Sequence, residues 1–338
     1  MLKDVSKKLL YTSGLLGLYH RLRNADSLTV VMFHRTLSPD DPRWTTCDPD
    51  YTLATGWLEQ SLAFFRRHYN VVSLEQVLAS RRTGATLPKR ALLITFDDGW
   101  ADNADYALPA LERAGLPALM FVVADAVGTR QPFFQERLIA AWRRGAVTVR
   151  ELSDALPAGE ATSAGDESMV ALRAVIARLE ALDAGVRTQV LAPFMAKLDD
   201  GHRHMVTVGE LQRLQAGGVA LGLHGKTHTP MKLAPDLDAE LSGARVSLAH
   251  QLGQAQASAE SMSFPHGSFD AGIAQRAREA GYELVFTSVP VLNPTVSGVG
   301  WLLGRTGFET DTVVDAQGRF RDDLLALYLF RRQARRLA

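Results

Sequence analysis

The sequence predicts an α/β fold, a mostly parallel sheet, open or closed, with helices packed against it. Three observations carry this. Short apolar runs recur along the chain, among them Leu28–Phe33 (LTVVMF), Ala91–Ile94 and Pro117–Val123 (PALMFVV). Such runs read as strands buried on both faces, the habit of parallel sheets. Segments of helical periodicity alternate with them, and glycines such as Gly115 and Gly281 stop those segments. The chain has 338 residues and formal charge zero, enough for one large α/β domain or two ordinary ones.

Leu28–Phe33 is the first core strand and runs into His34. Residues 38–50, rich in Pro and Asp, form a loop. Thr55–Tyr69 places Trp57, Leu58, Leu62 and Phe65 at helical spacing, and Val71–Leu74 is a short strand. Ser73 caps a helix over 74–80, with Gln76 near the capping-box position. Asp102–Ala114 is a helix and Pro117–Val123 a strand. The composition of 129–204 shifts to Ala, Arg, Glu and Leu, with a flexible patch at 157–166 and an amphipathic helix at 171–182. Strand rhythm resumes afterwards, so this block reads as a helical insertion. Helices are expected at 207–217, 236–251 and 270–280. Strands are expected at 219–223, 261–264, 283–288 and 301–304. From Asp322 the tail is basic and helical.

The first residues carry Lys3, Lys7 and Lys8 ahead of a Leu- and Tyr-rich run, Leu9–Tyr19. A weak signal peptide has this shape, but no small-x-small cleavage site follows; His20, Arg21 and Arg23 come instead. The run is shorter than the roughly 20 residues that span a bilayer. The expectation is a basic amphipathic helix over 1–26. It either packs on the protein's own core or makes a peripheral contact with a membrane surface. With no clear export signal, the cytoplasm is the expected compartment, at the inner membrane face in the membrane-contact reading, while the periplasm stays open. A single cysteine, Cys47, excludes an internal disulfide and reads as a loop thiol. Charge balance gives no support for a nucleic-acid partner, although it leaves room for a local basic patch.

Chemistry concentrates in two places. Asp97 and Asp98 end one buried strand, in Thr95-Phe96-Asp97-Asp98-Gly99. Asp-Asp-Gly alone often marks a turn. At a strand-to-turn junction, however, one carboxylate can bind a metal while the other stays free as a base. A second strand ends in His224, with His228 four residues on and polar neighbours around both. Two strand ends, one bringing acids and the other imidazoles, suit a mononuclear hydrolytic metal site. His20, His68, His202, His204 and His250 lack such a setting and read as solvated or capping.

Together, Thr95-Phe96-Asp97-Asp98-Gly99 and His224-Gly225-Lys226-Thr227-His228 resemble the paired motifs of the polysaccharide deacetylase family, the NodB-homology carbohydrate esterases. The likeness covers roughly Ser27 to Phe308. It implies a distorted (β/α)7-type barrel over 27–310, with a helical insertion at about 129–205 and a helical tail at 311–338. It implies Asp97 as general base, and Asp98, His224 and His228 as ligands of one divalent metal. Zinc suits that donor set best, and cobalt or nickel suit it too. The Arg-x-Pro-aromatic motif of many members stands here as Ser263-Phe264-Pro265-His266-Gly267, without its arginine. The resemblance gives the backbone N–H of His266, after Pro265, to an oxyanion. Arg305 is the candidate to replace the missing arginine, an ordinary surface arginine being the other reading. Trp100 either lines a sugar cleft or packs. No histidine follows His266. Val31-Met32-Phe33-His34-Arg35 resembles the opening segment of permuted members, such as the poly-β-1,6-N-acetylglucosamine deacetylases, and so implies His34 as general acid. Gly225 replaces the usual Ser or Thr, which is expected to loosen a local hydrogen bond.

The implied reaction is removal of N-acetyl groups from amino sugars in a polysaccharide or a lipid-linked glycan precursor. Two alternatives stay open: hydrolysis of another C–N bond by a deformylase or imidase, and an inactive glycan-binding scaffold.

Overall fold

Residues 2–157, 166–254, 259–308 and 310–338 are described by a computed structural model. The core is built from the apolar runs, which extend as β1 (Ser27–Phe33), β2 (Ala91–Phe96), β3 (Ala118–Val122), β4 (Val219–Leu223), β5 (Ser261–Ser263) and β6 (Leu284–Phe286). Two short pieces, β7 (Leu302–Leu303) and β8 (Thr306–Gly307), complete it. Each of β1 to β7 lies beside the next in chain order, and every one of these pairings is parallel. Leu28 registers with Ala91, Thr95 with Leu119, Ala118 with Val219, and Ser261 with Leu284. β8 then pairs with β1, Val31 opposite Thr306. Only Gly304 and Arg305 separate β7 from β8, so this split strand carries the sheet back to its start. The result is a nearly closed (β/α)7-type barrel.

Strand alternation sorts the side chains into two sets. Leu28, Val30, Ala91, Leu93, Leu119, Phe121, Leu284, Phe286 and Leu303 form one buried cluster inside the ring, joined by Val77 and Leu78 of the helix over Leu74–Thr83. Val31, Phe33, Leu92, Ile94, Phe96, Met120, Val122 and Met262 form the other, against the outer helices. Each fully buried leucine in these layers contributes about 2 kcal/mol of apolar transfer free energy. The same alternation carries Asp97, two residues beyond Thr95, and His224, two beyond Gly222, toward the interior at the C-terminal end of the strands. In closed and open parallel sheets alike, that is the end where ligand sites form.

Contacts divide the chain into two compact units. The barrel unit comprises residues 1–38, 50–128 and 205–338, and the other comprises 39–49 and 129–204. The second unit is helical, with helices at Phe134–Arg143, Val149–Asp154, Met169–Glu180 and Ala184–Leu191. Its core is formed by Leu138, Ile139, Leu152, Leu172, Val175 and Leu179. The 39–49 loop belongs to it, and Asp48 there accepts two 2.8 Å bonds from Arg173. The flexible patch expected at 157–166 lies almost wholly outside the described residues.

Several expectations are corrected. The first 26 residues form two helices, Leu2–Thr12 and Leu15–Arg23, instead of one. Gly14 takes φ 78°, a left-handed conformation that interrupts helical hydrogen bonding. The tail is helical over Asp322–Phe330, beyond which Ala334 bridges Leu292 in an extended segment. His20 is 1% exposed, not solvated: its ring stacks on Phe330 at 4.0 Å, meets the edge of Tyr69 at 4.6 Å, and its Nδ1 pairs with Asn24 Nδ2 at 3.0 Å. His204 is also buried, 2.9 Å from Asp200.

Candidate metal centre and active site

Backbone ladders position the acid pair. Asp97 N–H donates to Phe33 O at 2.9 Å, extending the β1–β2 pairing by one residue. Asp98 then turns to φ 76° and Gly99 to φ 82°, which swings the second carboxylate to the same side as the first. His224 N–H donates to Val122 O at 2.8 Å, extending β4 likewise. His228 and His266 also take positive φ, 64° and 56°. Among the described residues, five non-glycines have positive φ, and three of them are at this site. Backbone strain of this kind persists where surrounding contacts over-determine it.

Asp98 Oδ1 lies 3.4 Å from His224 Nε2 and 3.3 Å from His228 Nε2. The three ligand atoms fall within 4.8 Å of one another. His224 Nδ1 faces Ser263 O at 3.1 Å and Ser263 Oγ at 2.6 Å. A carbonyl can only accept, so Nδ1 carries the hydrogen and Nε2 presents its lone pair to the cluster. Burial pushes the His224 imidazole down to about 4, against the opposing pull of Asp97 and Asp98, so the ring is neutral at pH 7. Burial would raise the Asp98 carboxyl, but the neighbouring imidazoles, His228 foremost, hold it far below the usual carboxylate range. Trp100 Nε1 donates to Asp98 Oδ2 at 2.9 Å. The other oxygen, Oδ1, is buried without a hydrogen-bond partner.

Asp97 is held differently. Arg305 grips it bidentately, Nη1 to Oδ1 at 2.6 Å and Nη2 to Oδ2 at 2.8 Å. Arg305 also donates from Nε to Thr287 O at 3.2 Å and from Nη1 to Thr95 Oγ1 at 3.3 Å, over the Phe121 ring. At 1% exposure it is no surface arginine. Burial alone would raise the Asp97 carboxyl; Arg305 and then His224 outweigh it, and the group stays below its ordinary value. Asp97 and Asp98 thus bring two buried anions and Arg305 one cation. With His224 neutral, a divalent ion on Asp98, His224 and His228 fits both this imbalance and the orphaned Oδ1.

The remaining candidates divide. His34 follows β1 at the same barrel mouth, half-buried, its ring against Tyr51 at 4.8 Å and its carbonyl accepting from Asn103 at 2.9 Å. Protonated, it would lower both Asp97 and Asp98. Exposed His266 sits with its ring 4.5 Å from that of His228, above buried Pro265. Trp100 does not line a cleft. It is 1% exposed, between Asp98 and the Arg35 guanidinium, 4.4 Å from its ring. Arg35 is in turn fixed by buried Asp102 at 2.8 Å. Its indole is held by that stack and by its N–H bond to a carboxylate.

Gly225 also differs from expectation. Its φ of 72° and tight packing, where a Cβ would lie 3.0 Å from Glu240, favour glycine. Buried Glu240 braces the loop: its Oε2 accepts from Lys226 N at 2.8 Å and Thr227 N at 3.1 Å, and its Oε1 from the Thr227 hydroxyl. Glu240 lies in a π-turn at Ala239–Gly243, a feature often found at functional sites, and no sequence motif marks it. Ser263 was legible, being two residues before Pro265 on an alternating strand; Tyr51 carried no signal.

An α/β barrel with an Asp-His-His cluster and an arginine-held carboxylate at its C-terminal mouth has the donor set that suits a mononuclear hydrolytic metal site. Residues 84–157 match the model of the polysaccharide deacetylase family. The chain is 28% identical over 128 residues to the poly-β-1,6-N-acetyl-D-glucosamine N-deacetylase of Staphylococcus epidermidis, covering 37% of this chain and 42% of that protein. The Staphylococcus aureus counterpart is 28% identical over 127 residues, 37% of this chain and 41% of that one. The matches therefore span under half the length of these relatives. Among solved structures, the fold resembles the deacetylase PplD of Streptococcus pyogenes, with TM-score 0.56, 14% identity, and coverage of 90% of this chain and 99% of that one. It also resembles IcaB from Ammonifex degensii, with TM-score 0.54, 18% identity, and coverage of 91% and 98%.

Proposed function

We propose that the protein is a metal-dependent N-deacetylase acting on N-acetylated amino sugars of a polysaccharide or lipid-linked glycan. The observation that carries this is the division of labour between adjacent carboxylates. Asp98 faces the Nε2 atoms of His224 and His228 with an oxygen that has no hydrogen-bond partner, whereas Asp97 is kept off that cluster by Arg305. Asp98, His224 and His228 would hold the ion, zinc being favoured by the donor set, and it would supply a Lewis acid that polarises an acyl oxygen and acidifies water.

The chain's own residues account for the rest. Asp97 is ionised at neutral pH and takes the proton from the attacking water, while Arg305 fixes the direction of its lone pairs. The His266 N–H, presented by the strained turn after Pro265, donates to the developing oxyanion. His34, against Tyr51 at the mouth, delivers a proton to the departing amine, because an amide anion is too basic to leave unaided. The names of the staphylococcal relatives support an amino-sugar substrate.

The test is amine and carboxylate release from oligomers of N-acetylglucosamine, with matched N-formyl and cyclic imide compounds, before and after chelation. Acetate release that chelator abolishes and zinc restores is the expected result. Turnover confined to formyl or imide compounds would replace the reading, and metal-free chain with no turnover of any compound would end it.

A further inference from the structure

Helix 15–23 faces the wrong way for a helix that serves only the core. The positions i, i+3, i+4 and i+7 normally form the buried stripe. Here they are Leu15, Leu18, Tyr19 and Leu22, at 59%, 52%, 40% and 74% exposure. The opposite side, Leu16 and His20, is buried, with His20 stacked on Phe330. Val5 and Leu9, one turn apart on the preceding helix, are 64% and 66% exposed. Among the described residues, half of the exposed large hydrophobics lie within this short segment. Cations lie on and beside it: Lys8, Arg21 and Arg23 on the helices, Lys7 with Asp4 at 3.7 Å, and Arg331, which shares a cavity with Lys7, in the tail that Arg23 ties down through a 2.9 Å bond to Arg332 O.

We propose that these two helices dock the protein on an anionic lipid bilayer, lying in its interface. The leucine stripe would enter the acyl boundary while the cations meet headgroup phosphates. The helices have 11 and 9 residues, far from the ~20 that would span. Charge argues against a second copy as occupant, since self-association would press these arginines and lysines against their own kind, whereas an anionic surface neutralises them. The patch is presented rigidly, because the buried face of helix 15–23 is stacked on the tail helix. This inference is independent of the proposed deacetylation.

The experiment is co-sedimentation of the full chain with vesicles of phosphatidylcholine alone, or with phosphatidylglycerol added, at low and high salt. The wild type is expected to bind the anionic vesicles at least about tenfold more tightly than the neutral ones, and less tightly as salt rises. The double variant L18E/L22E changes exposed side chains only, so its Tm should match the wild type while vesicle affinity falls at least about tenfold. K8Q/R21Q should lose roughly fivefold per charge, on anionic vesicles alone. Wild type that stays in the supernatant, or L18E/L22E that pellets as wild type does, overturns the proposal. So does sedimentation velocity showing a lipid-free dimer that L18E/L22E dissolves, with no vesicle binding.

Discussion

Asp97 and Asp98 are neighbours with opposite surroundings, and each predicts its own phenotype. Asp97→Asn is expected to lower kcat by about 10²–10⁴-fold while leaving one metal per chain by elemental analysis. Arg305→Gln leaves burial of Asp97 unopposed by the guanidinium. The carboxyl then rises, so the acid limb of the kcat/KM profile should move to higher pH, with Arg305→Lys between the two. An unmoved limb would show that Arg305 does not set the base. Trp100→Phe keeps a ring beside Arg35 but removes the N–H to Asp98 Oδ2. Zinc affinity by competition with a chromophoric chelator should fall about 10–100-fold. At this scale the sequence carried the side chains that the fold brings together, Asp98, His224 and His228, because strand ends and histidine spacing are local signals. It did not carry their supports. Whether Arg305 was buried depended on the ring closure that sets Thr306 against Val31, and the burial of Trp100 on its packing against Arg35.

At the scale of elements, the loop 224–228 is shaped less by its own residues than by Glu240, fourteen positions beyond Lys226. Glu240→Ala removes the acceptor of two loop amides and frees His228 to wander. Metal affinity is expected to weaken about 10–100-fold, and Glu240→Gln should recover part of it. A general loss of Tm with unchanged metal affinity would assign Glu240 a merely structural part. The strands were legible because parallel strands buried on both faces are apolar throughout. β7 falls within the strand expected at 301–304, but β8 was not legible, since two residues, Thr306 and Gly307, fall below any periodicity. The break at Gly14 was present in the sequence, but the basic and apolar pattern running across it suggested one helix. The membership of 39–49 in the helical unit is a tertiary fact with no local signal.

Across the whole molecule, the two ends of the chain meet at His20. Burial pushes this imidazole down to about 3, against an ordinary value near 6.5. The unfolded chain therefore takes up a proton that the folded chain refuses between those values. Stability is complete above about pH 6.5 and falls as acid is added toward pH 3, by an amount of order 3 kcal/mol at pH 4. Urea midpoints of wild type and His20→Phe, compared from pH 7 to pH 4, test this. The variant should titrate more shallowly, and parallel curves would exonerate His20. The barrel's last wall has a different consequence. Arg305 sits in the gap of the strand that closes the ring, so the step that finishes the architecture is also the step that delivers a counter-ion to Asp97. A chain ending before residue 302 would possess every side chain of the Asp-His-His cluster and still lack the partner that holds the Asp97 carboxylate. Ring closure and charge balance thus hang on the same short latch.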